Sequence, residues 1–518
     1  MSKNKRRKKQ NLLSNIKTMA LQGLEGIIIT VEVDITEGMP GWEIVGLADT
    51  SIKESKERIK SAIKNSGFEF LSRKYIVNLS PASIRKEGSL LDLPIAVGVL
   101  SSMGILDEGE FEDTIFIGEL ALDGSVREVN GILPICIEAF NRGMKRVIVP
   151  EKNAKEAAIV EGIEVYGISN LIQLVNFLNK KINLAKTKIN IEQYFKNKEN
   201  ELLDFAEVTG QEAVKRALEI AAAGGHNCLL IGAPGSGKTM MARRVTTILP
   251  DLTFEEALQI TKIHSVAGKI KSEKDALITK RPFRSPHHTI SPNGIIGGGK
   301  VPKPGEISLA HYGVLFLDEL PEFGRNTLEV LRGPLEDRSV TISRVGASLT
   351  YPCNFMLVAS MNPCPCGYYG SKIKECTCDE RKRNSYKAKI SGPLLDRIDI
   401  QIEVPNVKYQ NLESQKSETS EEIKQRVNAA RKIQIERYKD YEIFSNSELT
   451  PKLIRIFCTL DLDSKNILQK AFEKFKFSAR AYSRILKLAR TIADLDGKEN
   501  IEVIHITEAI QYRSLDKS

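Results

Sequence analysis

The sequence predicts two successive α/β domains followed by a domain built of helices alone, and three observations carry that expectation. The chain has 518 residues, more than one hydrophobic core accommodates at roughly 100 to 200 residues per domain, which points to about three domains. Strand-like and helical runs alternate as far as residue 405, with a strand, a glycine-rich turn and a helix in direct succession over 228–245. From 420 to 512 the apolar residues recur instead at helical spacing, as in Ile423, Val427, Ala430 and again in Tyr482, Ile485, Leu486, Ala489.

Taken in order, residues 1–11 form a basic tail, SKNKRRKKQ at its head, with no apolar stretch and cleavage site after it. It is therefore not a secretory signal, and the expected location is the cytoplasm, where thiols stay reduced. Six cations of this tail leave only +3 of the chain's net +9 for the rest, so the folded body is nearly neutral. Residues 12–178 read as an α/β domain with strands at 26–33, 75–79, 114–120 and 146–149 and a helix at 51–66. A Lys- and Asn-rich linker at 179–200, a second α/β domain at 201–405 and a helical lid at 406–518 complete the chain. The longest nearly uncharged apolar run, 93–106, is shorter than the roughly 18 residues a membrane span needs.

The second α/β domain carries the chemistry. GAPGSGKT (Gly232, Ala233, Pro234, Gly235, Ser236, Gly237, Lys238, Thr239) joins strand 228–231 to a helix that Lys238, Thr239 and Met240 open. In that context backbone amides cradle the phosphates of ATP, Lys238 reaches the terminal phosphates and the Thr239 hydroxyl ligates Mg²⁺. Glycines are required because a side chain blocks close backbone approach. Strand 313–317 ends in Asp318-Glu319, two carboxylates at the carboxyl edge of the sheet: Asp318 to hold Mg²⁺ through water, Glu319 to orient or deprotonate the attacking water. Strand 355–360 leads to Asn362. Spacing alone leaves open whether Asn362 forms a turn or touches the γ-phosphate.

Cys364, Cys366, Cys376 and Cys378 form two close pairs within fifteen residues, a pattern that suits a structural Zn²⁺ site, although one residue within each pair is tighter than the usual two to four. Cys136, Cys228, Cys353 and Cys458 sit singly in apolar runs and read as packing residues.

The runs GAPGSGKT, LFLDEL, SMNPCPCGYYG and SGPLLDRIDI together resemble the ComM/YifB branch of magnesium-chelatase-like AAA+ ATPases over nearly the whole chain. The resemblance implies an AAA+ core with an insert in its second helix, for which the 80 residues between Lys238 and Asp318 leave room around 281–303. It implies that Asn362 is the first sensor, Arg397 the arginine finger supplied to a neighbouring subunit, and Arg480 the second sensor. A surface arginine paired with Asp396 or Asp399 is the plain alternative for Arg397. Residues 336–349 alternate as a β-hairpin does, where motors of this kind place a pore loop, so Arg338 and Arg344 are candidates for contact with a DNA backbone.

Residues 70–178 resemble the proteolytic domain of Lon, through IGELALDGSVREVNGILP and VIVPEKN. Lon uses a Ser nucleophile and a Lys base. Here the nucleophile position falls on Leu90, with Ser89 one residue early, the lysine position falls on Leu133, and no lysine lies between Lys86 and Lys145. A Lon-like fold without that protease mechanism follows, serving ring assembly or substrate contact. The resemblance as a whole implies a homo-oligomeric, hexameric ring that hydrolyses ATP and migrates along branched or single-stranded DNA during recombination of incoming DNA. The rivals are a chelatase-type remodelling chaperone, for which the chain has no metal-ion-dependent adhesion domain, and a Lon-like protease.

Overall fold

A computed structural model of the chain describes residues 13–513 apart from 87, 107–110, 197–202, 271–275, 300–301, 345–346, 371–373, 407–416 and 442. The basic tail and the end of the expected linker lie outside the described residues. The chain folds as two compact units, one formed by 1–197 with 257–279 and the other by 198–256 with 280–518.

In the first unit the strands Leu13–Gln22 and Glu25–Thr36 pair antiparallel, and Lys74–Ser80 and Gly41–Val45 extend the sheet beyond Glu25–Thr36. Their alternating burial reflects one face packed and one solvated. Asp49 caps helix Thr50–Asn65 by accepting from Ile52 N at 2.9 Å. Every residue of helix Asp92–Ser102 is buried, so the long apolar run of the sequence is a core helix. The expected strand at 114–120 splits: Thr114–Phe116 joins Arg146–Pro150 and Glu164–Ile168 in a parallel sheet, while Glu119–Leu120 pairs with Val126–Arg127.

The second unit is built on a five-stranded parallel sheet in the order Phe283–Arg284, Val314–Leu317, Met356–Met361, Cys228–Ile231, Ile400–Glu403. Its three central strands are buried throughout, as parallel strands covered on both faces must be. Helices Ser420–Arg437, Pro451–Phe457, Leu462–Phe475, Ala479–Leu495 and Val503–Gln511 follow, the first opened by a Thr419/Glu422 capping box. Ile423, Val427, Ile485 and Ala489 share one core with Cys228, Val314 and Met356. The helical spacing read at these four residues thus marks faces packed against helix Glu212–Gly224, whereas Tyr482 of the same spacing stays exposed.

One segment departs from the order of the chain. Residues 257–279 lie between the phosphate loop and the acidic pair, inside the stretch read as 201–405, yet they belong to the first unit. There Ser265 donates to the Glu156 carboxylate, and Gly131 N donates to Ser265 O at 3.2 Å. The stretch 281–303, where the resemblance implies an insert, stays with the second unit and holds the edge strand Phe283–Arg284, a short helix Pro292–Ile296 and a two-stranded ladder in which Gly298 faces Lys303.

Candidate nucleotide site

Parallel register brings three loops to one edge of the sheet. Ile231 stands opposite Met361 and Leu317 opposite Ala359, so the residues after each strand, Gly232, Asn362 and Asp318, emerge side by side. Gly232 N donates to Met361 O at 3.1 Å and locks the first two loops together. Between them lies a cavity of about 450 Å³, lined by 234–240 with Asp318, Glu319, Ser360, Met361 and Asn362.

The glycines of the loop have separate reasons. Gly235 and Gly237 take φ of +77° and +87°, where a side chain is strained. A Cβ on Gly232 would lie 2.6 Å from Val404 O. Lys238 Nζ donates to Gly232 O at 2.7 Å, Ala233 O at 3.0 Å and Asn362 Oδ1 at 3.2 Å. Burial lowers the pKa of this ammonium, and Asp318 and Glu319 oppose that shift. Thr239 Oγ1 donates to Asp318 Oδ2 at 2.8 Å. A hydroxyl and a carboxylate meeting beside a lysine form the oxygen donor set that a magnesium triphosphate takes.

Two residues of this site escaped the sequence reading. Ser360 donates to Asp318 Oδ1 and accepts from Glu319 N at 3.2 Å, fixing the acidic pair while Glu319 holds a left-handed backbone at φ 54°. Gln211 Nε2 donates to Ser236 O at 3.0 Å and Pro405 O at 2.7 Å, clamping the phosphate loop to the end of the sheet. Ser360 could have been found as the one hydroxyl in an otherwise apolar strand; nothing local signals Gln211.

Arg397 and Arg480 are the arginines that the resemblance, not spacing, singles out. Arg397 is buried; its guanidinium pairs with Glu336 at 2.7 Å and donates to Pro393 O at 2.6 Å, so neither Asp396 nor Asp399 is its partner. Arg480 is exposed in the first turn of Ala479–Leu495, and neither arginine lines the cavity. The hairpin exists, Ser339–Arg344 against Ala347–Pro352. Arg338 precedes it and pairs with Glu448 at 2.7 Å, which ties it to the helical domain. Arg344 is the last residue of the first strand; its side chain lies outside the described residues.

The four clustered cysteines come together, their sulfurs all within 4.8 Å of one another. Cys364 lies 3.4 Å from Cys366 and 3.7 Å from Cys376, and Cys366 lies 3.7 Å from Cys376. Sulfurs held tetrahedrally at about 2.3 Å from zinc stand about 3.8 Å apart, so the set fits that ion. Hydrogen bonds from the backbone of Tyr368 and then of Thr377 hold the Cys366 thiol down to about 5, although desolvation opposes them, which favours a thiolate at neutral pH. This knuckle rests on the phosphate loop: a Cβ on Gly367 would lie 2.5 Å from Pro234 Cδ. The other cysteines, Cys136, Cys228, Cys353 and Cys458, are buried, as packing residues are.

In the first unit the residues read against a protease are occupied elsewhere. Ser89 Oγ donates to the Glu119 carboxylate. Lys86 is buried and donates to the carbonyls of Gly46, Leu79 and Pro81. Leu133 is buried, and its amide donates to Glu156 at 3.0 Å. Among the described residues no helix is long and apolar enough to cross a membrane.

Comparison with known proteins accords with this geometry. Residues 204–412 match the family described as magnesium chelatase, subunit ChlI; 31–153 and 417–513 match the families of that subunit and of its C-terminal part. The chain is 41% identical to competence protein ComM of Haemophilus influenzae over 97% of this chain and 98% of that protein. It is 42% identical to YifB of Escherichia coli over 98% of each. The magnesium-chelatase 38 kDa subunit of Rhodobacter capsulatus is 25% identical over 31% of this chain and 50% of that protein.

Proposed function

Because the chain belongs to the ComM/YifB family of magnesium-chelatase-like AAA+ ATPases, we propose that it is a ring-forming motor, a hexamer, that spends ATP in moving branched or single-stranded DNA. The observation that carries this reading is the meeting of Lys238, Asn362 and the Thr239–Asp318 pair at one sheet edge. The loop amides and Lys238 bind the phosphates, Thr239 and Asp318 would hold the magnesium ion, and Glu319 takes or orients the proton of the attacking water. Asn362 lies within reach of the γ-phosphate. Arg397, held by Glu336 within one chain, is the group that reaches a neighbour's nucleotide once the ring forms, and Arg480 approaches from the helical lid.

The DNA half of the proposal is supported by the hairpin, with Arg338 and Arg344 as its basic candidates, and by the competence role named for the Haemophilus relative. Branch migration of incoming DNA is the activity that unites them. The match to chelatase subunits favours a second reading, a remodelling chaperone acting on a partner protein. The test is ATP turnover with single-stranded, duplex and four-way-junction DNA. Stimulation by DNA, greatest with the junction, is expected; a rate unmoved by any DNA removes the substrate and leaves the chaperone.

We place a structural zinc ion in the Cys364, Cys366, Cys376, Cys378 set. Its weight falls on the nucleotide site, because Cys364 is two residues past Asn362 and Gly367 abuts Pro234. Replacing Cys376 and Cys378 by Ser is expected to abolish bound zinc by elemental analysis and to raise the KM for ATP roughly tenfold, the usual scale for a lost supporting shell. Full retention of both would end this assignment.

A further inference from the structure

Away from the nucleotide site, helices Pro451–Phe457, Leu462–Phe475 and Ala479–Leu495 enclose a groove of about 600 Å³. Its walls are apolar: Ile454, Leu460, Leu468, Phe472 and Tyr482, with the Phe472 and Tyr482 rings edge to face at 6.3 Å. Folding has not covered this surface. Of its lining side chains Tyr482 remains 41% and Phe472 36% exposed. A cluster of large apolar side chains kept in water around a concavity marks an interaction site, since single scattered ones need no explanation but contiguous ones do.

The charge around the groove selects the partner. Arg455 and Lys465 stand among the lining residues with Glu473. Over 451–483 the chain carries seven Lys or Arg against three Asp or Glu, in a body that is nearly neutral. The Arg455 guanidinium has no hydrogen bond or ion pair among the described residues, so an incoming carboxylate displaces no internal partner. The concavity runs between helices and has an aliphatic floor. That suits an amphipathic helix that inserts apolar anchors at i, i+3, i+4 and i+7. A single nucleic-acid strand asks instead for aromatic faces laid flat in succession along a continuous phosphate track, whereas Phe472 and Tyr482 meet edge to face.

We propose that this groove binds an acidic amphipathic helix of a partner protein, with apolar side chains against Leu468, Phe472 and Tyr482 and carboxylates at Arg455 and Lys465. The proposal is independent of the DNA reading, because none of these residues lines the nucleotide cavity or belongs to the hairpin.

The test uses the full chain and a fluorescein-labelled synthetic helix with leucine at i, i+3, i+4 and i+7 and glutamate elsewhere, followed by anisotropy. Saturable binding is expected, weakened about tenfold or more by Arg455→Glu and by Tyr482→Ala, with ATP turnover unchanged in both variants. Both side chains are exposed in part or whole, and Arg455→Glu leaves the apolar packing intact, so it remains informative if Tyr482→Ala fails to fold. Absence of binding overturns the proposal. So does equal binding of a lysine-faced version, or displacement of the peptide by oligo-dT, which would assign the groove to nucleic acid. A change in oligomeric state on sedimentation of either variant would assign it to a second copy of this chain.

Discussion

Lys238→Ala is expected to lower ATP turnover on the order of 10³-fold, the loss seen when one preorganised charge-stabilising donor is removed from a reacting centre. The size of the effect follows from where the ammonium sits. Lys238 spans the loop carbonyls of Gly232 and Ala233 and the Asn362 amide, so it joins the glycine-rich loop to the end of strand Met356–Met361. Its positive charge is already partly desolvated, with burial lowering its pKa against the pull of Asp318 and Glu319; a charge in that setting acts on phosphate through less water and is worth more than on the surface. The variant should fold, because its lost contacts are local to the loop and Gln211 still holds Ser236 and Pro405. Circular dichroism and steady-state turnover check the two halves, and an active variant would remove the nucleotide site from this loop.

What the sequence disclosed of this site was what lies close along the chain. Strand, glycine turn and helix at 228–245 follow one another within a few residues, and the four cysteines lie within fifteen, so their patterns survive without knowledge of the fold. The pairing of Cys228–Ile231 with both Met356–Met361 and Ile400–Glu403 is non-local, and apolar runs of equal length give no order among themselves. The same limit hid the partners of the arginines. In the sequence Arg397 has Asp396 and Asp399 as its nearest acids and Arg338 stands at the start of a hairpin, yet Glu336 and Glu448 pair with them from over fifty residues away. Residues 257–279 are the plainest case: periodicity shows that a helix has an apolar face, not which core that face completes. A Cys spacing, by contrast, names its own partners.

Asp399→Asn is expected to cost about 3 kcal/mol of stability in the second unit, read from the urea midpoint at neutral pH, because breaking one partner of a buried pair leaves the other charge uncompensated. Asp399 is buried; it pairs with Arg484, accepts from Asn227 N at 3.2 Å and faces His226 Nδ1 at 3.4 Å. His226 Nε2 in turn meets Thr491 Oγ1 at 2.7 Å, and Asn227 Nδ2 donates to Arg397 O at 2.9 Å. One carboxylate thus ties the start of the phosphate-loop strand to helix Ala479–Leu495 and to the segment bearing Arg397. Burial alone would raise its pKa, but Arg484, then His226 and Lys487, hold it well below the ordinary aspartate value. A depressed carboxylate contributes its full stability above its unfolded pKa of about 4 and loses it as pH falls below that point toward the folded value. Lys487, which faces the same group, is itself pushed down to about 8 by burial, so the comparison is made between pH 7 and pH 3, where Lys487 stays charged. The gap between the natural chain and Asp399→Asn should be smaller at pH 3 than at pH 7, closing progressively below about 4; a gap wider at pH 3 than at pH 7 would mean that Asp399 is not the ionised centre of this joint. Because Asn227 and Arg484, which this carboxylate holds, both donate to Arg397 O, the variant should also lose ATP turnover at neutral pH, where it is still folded, and so separate the joint's part in activity from its part in stability.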